Sequence, residues 1–323
     1  MHSLALVIPT FNRADQLSKT LESIKIAEKP TQLPISVYLV DNNSTKENTE
    51  KYKALVQLYS SYFSIHYLSE PKQGRSNALN RGIAEAEAEF VGFIDDDESI
   101  DISWFTVIHN HLQNEHIDYL GGPCKPDWEA TPPAWLPANV GAYRGILGWI
   151  ELAEKRISYD DFDGELCGGN CVIKRSIFTA ISGFNNSLGR SAKNLMGGED
   201  GEFHRRLKAH KYFGLYDPNL VIYHQIPKSR MTFRYHFRWA FWSGVSNGIR
   251  LKTNPLTAEP VPKLWGVPRY WYQKALQGVS RFLFNTLSLT LFKNPNGICG
   301  ALDALYLLGL FYGKNLKHKS SFT

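Results

Sequence analysis

An α/β fold, with a mixed, largely parallel sheet flanked by helices, is predicted by three observations. Short apolar runs at residues 4–8, 35–40, 65–68 and 90–94 have the length and the β-branched and aromatic content of buried strands. Helical spacing lies between them: Leu17, Leu21 and Ile24 stand at i, i+4 and i+7, and Ala78, Leu79 and Ile83 supply a second buried face. Polar clusters follow three of the runs, at residues 10–13, 41–44 and 95–97, and a parallel sheet gathers such clusters at one edge.

The first run stops at Pro9 and gives way to Thr10, Phe11, Asn12 and Arg13. The second follows Pro30 and Pro34 and ends in Asp41, Asn42, Asn43 and Ser44. The third leads into EPKQGRSNALNRGIAEA, where Gly74 permits a tight turn and Ser76 or Asn77 can cap a helix. The fourth ends in Asp95, Asp96, Asp97 and Glu98. Adjacent carboxylates repel one another, so this run is either a solvated turn or a hard-oxygen site for Mg²⁺ or Mn²⁺ bridging to a phosphorylated ligand. A calcium loop is excluded, because counting from Asp95 the glycine position holds Ile100 and the closing glutamate position holds Thr106. Neither GxGxxG nor the P-loop pattern is present, which removes ordinary dinucleotide and NTPase sites.

Residues 119–137 are rich in Gly, Pro and Trp and cannot form a regular helix; Trp128 and Trp135 there are either core or flat surfaces for a sugar. LCGGNCVIKRSIF at 166–178 places glycines before a strand at 171–174, as a plain turn or as backbone for close approach to a ligand. In GGEDGEFHRRLKAHKY, at 197–212, Phe203 and Leu207 begin a helix behind Glu199 and Asp200. Acids at that position suit the helix dipole, and they also suit general-base chemistry. His224 follows a short apolar strand at 220–223, where a histidine is a structural group or a ligand. Further on, Phe233, Phe237, Phe241 and Val245 recur every four residues with Arg234 and Arg238 interleaved, the pattern of an amphipathic helix with a basic side.

Composition sets bounds. Hydrophobic residues at 43% and charged residues at 21% exclude wholesale disorder, and 323 residues admit one large domain or two smaller ones. Cys124, Cys167, Cys171 and Cys299 are too few for a disulfide scaffold and match no zinc or redox spacing, so reduced thiols in a cytoplasmic setting are expected. The run at 4–8 is too short for a signal peptide and has no basic region before it. Lys293, Asn294 and Asp303 interrupt the C-terminal apolar stretches below the ~18 residues of a spanning helix. Charge is divided: residues 1–227 carry 22 Lys and Arg against 29 Asp and Glu, whereas residues 228–323 carry 14 against 2. That basic, aromatic third implies an anionic partner. A peripheral site on the inner face of the cell membrane is expected, and with no nucleic-acid module in the chain, nucleic acid is not.

Taken together and in order, VIPTFNR, VDNNS, GRSNALNRG, FIDDDE, GGN and GEDGEFHRRL resemble glycosyltransferase family 2, the inverting enzymes of the Rossmann-like GT-A fold that use nucleotide sugars. The resemblance covers about residues 4–226. It implies a GT-A catalytic domain at 1–227, with a nucleotide-sugar half to about 117 and an acceptor half at 118–227, and leaves 228–323 as a helical extension. It also implies that Pro9, Thr10, Phe11, Arg13, Asp41 and Asn43 border the nucleotide, that Arg75, Asn77 and Asn80 approach ribose or pyrophosphate, and that Asp95 and Asp96 contact the donor. Asp97 is assigned to a Mn²⁺ or Mg²⁺ ion as the last acid of a DXD-type motif, with His224 beside it. Gly169, Asn170, Trp128 and Trp135 fall on the donor-sugar and acceptor cleft, and Asp200 is the expected base with Glu199 orienting acceptor or loop. The implied reaction moves a sugar from a nucleotide donor, a UDP sugar first, to a glycan or lipid-linked acceptor in polysaccharide biosynthesis. A sugar-phosphate nucleotidyltransferase would carry a Gly-rich motif after the first strand, where Thr10 to Arg13 stand; a glycoside hydrolase would need neither nucleotide nor metal. A non-catalytic glycan-binding protein would not need the acidic motifs.

Overall fold

All residues of the first apolar run are buried, and alternate side chains divide between two cores. This is strand β1, Leu4–Thr10: Leu4, Leu6 and Ile8 join one core and Ala5 and Val7 the other, as the two-residue period of a strand requires. The computed structural model of the chain describes residues 2–136, 141–162, 164–186, 188, 195, 197–253, 262–265, 267–287 and 298–316.

Helix α1 (Ala14–Ile26) buries Leu17, Leu21 and Ile24 on the first core. Strand β2 (Ile35–Asp41) follows, then α2 (Lys46–Tyr59), β3 (Ser64–Ser69), α3 (Arg75–Glu85) and β4 (Phe90–Phe93). α3 packs Ala78, Leu79 and Ile83 into the second core, so helices cover both faces of the sheet. Next come β5 (Glu98–Ile100), α4 (Trp104–Asn114), β6 (Tyr119–Gly121), β7 (Cys124–Trp128), β8 (Ile157–Ser158) and β9 (Cys171–Lys174). They are followed by α5 (Arg175–Ile181), α6 (Glu199–Ala209), β10 (Gly214–Tyr216) and β11 (Ile222–Ile226).

The main sheet has the order β3-β2-β1-β4-β9-β6-β10-β8, and β5-β11-β7 form a second, three-stranded sheet. β1 pairs in parallel with β2 on one side and β4 on the other, and β2 with β3; β9 runs against β4 and β6. The direction of winding therefore reverses at β1, and the carboxyl ends of β1, β2 and β4 open on the switch-point crevice where ligands bind in such sheets.

The chain divides into two units: Met1–Asp127 with Gly148–Ala192 and Glu199–Gln225, and Trp128–Leu147 with Lys193–Gly198 and Ile226–Thr323. Residues 128–147 belong to the second unit. In that second unit α7 (Phe233–Thr253) is followed by the two-residue strands β12 (Lys263–Leu264) and β13 (Val267–Pro268), then α8 (Arg269–Leu287) and α9 (Cys299–Asn315).

The four-residue stripe of α7 is turned inward. Val245 is fully buried, Phe241 meets Tyr312 of α9 at 5.9 Å, and Phe233 packs on Trp135 at 4.1 Å. Close approach explains the arrangement: a β-carbon at Gly309 of α9 would fall 1.9 Å from the Phe241 carbonyl oxygen. Among the described residues no helix is long and apolar enough to cross a membrane. All four cysteines are free thiols, with Cys124, Cys167 and Cys171 buried.

Candidate active site

β1 and β2 run in a register that sets Thr10 beside Asp41, and the turn of Asp95, Asp96 and Asp97 follows β4 on the other side of β1. Two arginines hold these ends together. Arg13, at the start of α1, donates from Nη1 to Asp96 Oδ1 and to Asp97 Oδ2, both at 3.0 Å. Asp96 is buried and also accepts from the Thr10 hydroxyl at 2.8 Å and from the Phe11 amide at 3.4 Å. Burial pushes the Asp96 carboxyl up to about 7, against the opposing pull of Arg13. Asp96 thus faces inward and fixes the loop after β1. Burial alone would lower Arg13, but Asp96 and then Asp97 raise it.

Asp97 shares Arg13 with Asp96 and also meets β11. Its Oδ2 lies 3.6 Å from His224 Nε2 on β11, and its carbonyl accepts the Gln225 amide at 2.8 Å. The carboxylate oxygen is a hard donor of the kind Mn²⁺ and Mg²⁺ take. Among the described residues no group of three or more His, Cys, Asp or Glu is arranged to hold an ion.

Arg75 opens α3 and ties three carboxylates from two elements. Its Nε donates to Asp95 Oδ1 at 2.9 Å, and its Nη1 to Glu199 Oε1 at 3.1 Å and Asp200 Oδ1 at 2.9 Å. Burial would lower its pKa, yet Asp200, Asp95 and Glu199 hold it well above the ordinary value. Glu199 and Asp200 occupy the first turn of α6, and their side chains differ in access: 5% exposed against 29%. Opposite them, a β-carbon on Gly168 would lie 2.0 Å from the Asp200 carboxyl, and one on Gly169 2.4 Å from the Glu98 oxygens. The close approach foreseen for these glycines is therefore to the protein's own acids.

Other expected site residues are engaged elsewhere. Asp41 is buried and accepts from the Ser44 amide at 3.0 Å and from the Thr49 and Tyr67 hydroxyls at 2.8 Å each, with burial and Asp41 pushing Tyr67 up to about 12. Asn43 is exposed at φ 63°, a conformation asparagine tolerates well. Pro9 is a buried β1 residue beside Val40. Asn77 donates to the Gln73 carbonyl at 3.2 Å, and Gly74 rather than Ser76 or Asn77 takes the cap position. Asn80 exchanges hydrogen bonds with the Phe184 backbone at 2.8 Å and reaches Asn186, so its amide braces that loop.

Asn170 is fully buried; it accepts from Trp104 Nε1 at 2.9 Å and donates to the Pro123 and Leu220 carbonyls, which makes it a strut between chain segments. Trp135 is buried in the second unit, its ring against Phe233 and His236, so the flat face expected for a sugar is already covered. Trp128 ends β7 and is half-buried.

Three positioning groups were not foreseen. Glu98 is buried and accepts the Asp95 amide at 2.6 Å, closing the acidic turn; burial, then the Asp95 charge, raises its carboxyl well above the usual range. Tyr52 accepts the Arg13 amide at 2.9 Å, and Asn42 accepts the Gly74 amide at 2.7 Å. Glu98 carries a signal as the fourth acid of the run and Asn42 as a member of the polar cluster at 41–44, whereas Tyr52 carries none.

The switch-point crevice bears an acidic turn, two arginines and a carboxylate pair at a helix start, on a fold of GT-A type. Residues 5–181 match the pattern of Glycosyl transferase family 2. The chain belongs to that family and is a glycosyltransferase. It is 24% identical over 239 residues to the succinoglycan biosynthesis protein ExoM of Rhizobium meliloti, covering 73% of this chain and 71% of that one. It is 34% identical over 181 residues to a GalNAc(5)-diNAcBac-PP-undecaprenol beta-1,3-glucosyltransferase of Campylobacter jejuni, covering 55% and 53%. The solved mannosyltransferase PcManGT of Pyrobaculum calidifontis, in complex with GDP-Man and Mn²⁺, shares the fold with a TM-score of 0.63 at 16% identity, over 96% of this chain and 86% of that one.

Proposed function

We propose that the chain is a metal-dependent, inverting glycosyltransferase that moves a sugar from a nucleotide donor, a UDP sugar first, to a glycan or lipid-linked acceptor in polysaccharide assembly. One observation carries this reading: the Arg75 guanidinium joins Asp95, beside the acidic turn, to Glu199 and Asp200. Donor-side acids and a base therefore face one crevice. Thr10, Phe11, Arg13 and Asp41 border the nucleotide, and Arg75 meets its phosphates.

Asp200 is the base, because its carboxyl is reachable whereas that of Glu199 is nearly closed off. The acceptor hydroxyl oxygen bonds to the anomeric carbon as the bond to the diphosphate breaks, and its proton passes to Asp200, with inversion at that carbon. Glu199 keeps Arg75 and Asp200 in register. A Mn²⁺ or Mg²⁺ ion held by Asp97 and His224 would neutralise charge on the leaving diphosphate. The excess of 14 basic over 2 acidic residues at 228–323 supports peripheral attachment to an anionic membrane surface, as does the PP-undecaprenol in the Campylobacter relative's name.

A thermal-shift screen of nucleoside diphosphates and nucleotide sugars with and without Mn²⁺ tests the reading. Ligand at 100 times its dissociation constant stabilises the native state by about 2.7 kcal/mol. The shift is expected only with Mn²⁺ present, absent in Asp97→Ala, and retained in Asp200→Asn, which loses transfer. No shift with any nucleotide overturns the reading; full turnover by Asp200→Asn overturns the base.

A further inference from the structure

The second unit carries an apolar face that its own helices leave outside. On α8, Leu276, Val279 and Leu283 stand at i, i+3 and i+7, one stripe of a helix, and are 73%, 41% and 55% exposed. Trp265, in the turn between β12 and β13, is 76% exposed and meets Tyr272 of α8 edge-on at 6.3 Å. That turn is fixed to the helix, since the Tyr272 hydroxyl donates to the Leu264 carbonyl at 2.9 Å. The opposite side of α8 is turned inward: Ala275 is buried and Trp271 stacks on Tyr306 of α9 at 4.4 Å.

We propose that this stripe, with Trp265 at its end, is the surface by which the protein docks on an anionic lipid bilayer. The inference rests on the peripheral-membrane reading above and assigns its place in the fold. Charge selects the occupant. α8 carries no carboxylate: Arg269 is exposed on the side of the stripe, Arg281 is exposed on another side of the helix, Lys274 pairs with Asp303 at 3.4 Å, and Asp303 is the only acid within 262–323 of the sequence, against eight Lys and Arg. An apolar helix face with an arginine at its first turn, in a strongly basic segment, matches an interfacial helix, whose leucines enter the acyl boundary while cations meet anionic headgroups. A tryptophan at the edge of the stripe suits the headgroup level.

Flotation with vesicles of phosphatidylglycerol and phosphatidylcholine, and with phosphatidylcholine alone, tests the assignment on the full chain. Wild type is expected to float with anionic vesicles at low salt and to be released by high salt. Leu276→Glu/Leu283→Glu should partition at least about 30-fold less, because each leucine loses its transfer from water and gains a charge. Leu58→Glu adds the same charge at an exposed leucine of α2 and should change partitioning less than about threefold. Arg269→Glu, which leaves the stripe intact, should weaken binding to the anionic vesicles alone. Equal flotation of wild type and the double leucine variant overturns the α8 assignment while leaving peripheral attachment standing. No flotation of wild type overturns both. A wild-type dimer in solution that the double variant turns into a monomer makes the stripe a self-interface and overturns the lipid assignment.

Discussion

Gly168→Ala is the narrowest perturbation of the catalytic arrangement. No left-handed φ is required at Gly168, so alanine is tolerated by the backbone and acts only through its added methyl. That methyl would lie 2.0 Å from the Asp200 carboxyl carbon, where ordinary contact begins at 3.4 Å. Asp200 or the glycine loop must therefore move by about 1.4 Å. Misplacing a catalytic group by about 1 Å costs on the order of 100-fold in rate, or about 2.7 kcal/mol of barrier. Asp97 and Arg13 lie outside this contact and only Arg75 links it to the donor side, so donor affinity should fall much less than the rate. Release of nucleoside diphosphate from the donor selected by the binding screen gives kcat, and calorimetry with a non-transferable donor gives affinity. Wild-type kcat in Gly168→Ala would refute the reasoning, as would an equal loss in donor binding and in rate.

Two further outcomes follow from the charge network and the core. Arg75→Ala leaves Asp95, Glu199 and Asp200 without their shared cation, and removing one partner of a buried network costs about 3–5 kcal/mol; thermal unfolding should fall by about 10 °C. Arg75→Lys should recover no more than half of that loss, because one ammonium cannot reproduce the guanidinium fork. His204 is buried between Tyr119 and the Leu166 amide, and burial lowers its pKa from 6.5 to about 4. The unfolded chain therefore takes up this proton first, and stability is lost as pH falls from about 6.5 to about 4, by about 3 kcal/mol in all. His204→Gln keeps polar contacts without titrating, so the difference from wild type in denaturant midpoint should close across that window; an unchanged difference would show that His204 does not titrate there.

The central strands and α1 and α3 were legible because their buried residues are apolar and periodic. α2 was not, since its fully buried residues are only Tyr52 and Tyr59 in a polar helix. α4 was also missed, although its buried Trp104, Phe105, Ile108 and Leu112 lie in a sequence broken by histidines and asparagines. Clustered acids announced themselves, because carboxylates side by side need a compensating partner wherever they fold. Which carboxylate faces which partner was not legible: Asp96 turns to the Thr10 hydroxyl and Asp97 toward His224, a difference set by the turn that Glu98 closes. Asn80 and Asn170 were read as ligand groups because an amide looks the same in sequence whether it meets a sugar or a carbonyl. The α7 stripe was legible as a face, but nothing in its period says what covers it.

The two arginines also set a charge balance. The five acids tied to Arg13 and Arg75, namely Asp95, Asp96, Asp97, Glu199 and Asp200, outnumber them even with Asp96 protonated. An excess of carboxylates opposes a diphosphate, and on the proposed reading a cation and a donor each relieve what opposes the other. Linkage then makes the effect reciprocal: whatever factor the ion adds to donor affinity, the donor adds to ion affinity. On that reading, the shortfall of arginines is what couples the two binding events.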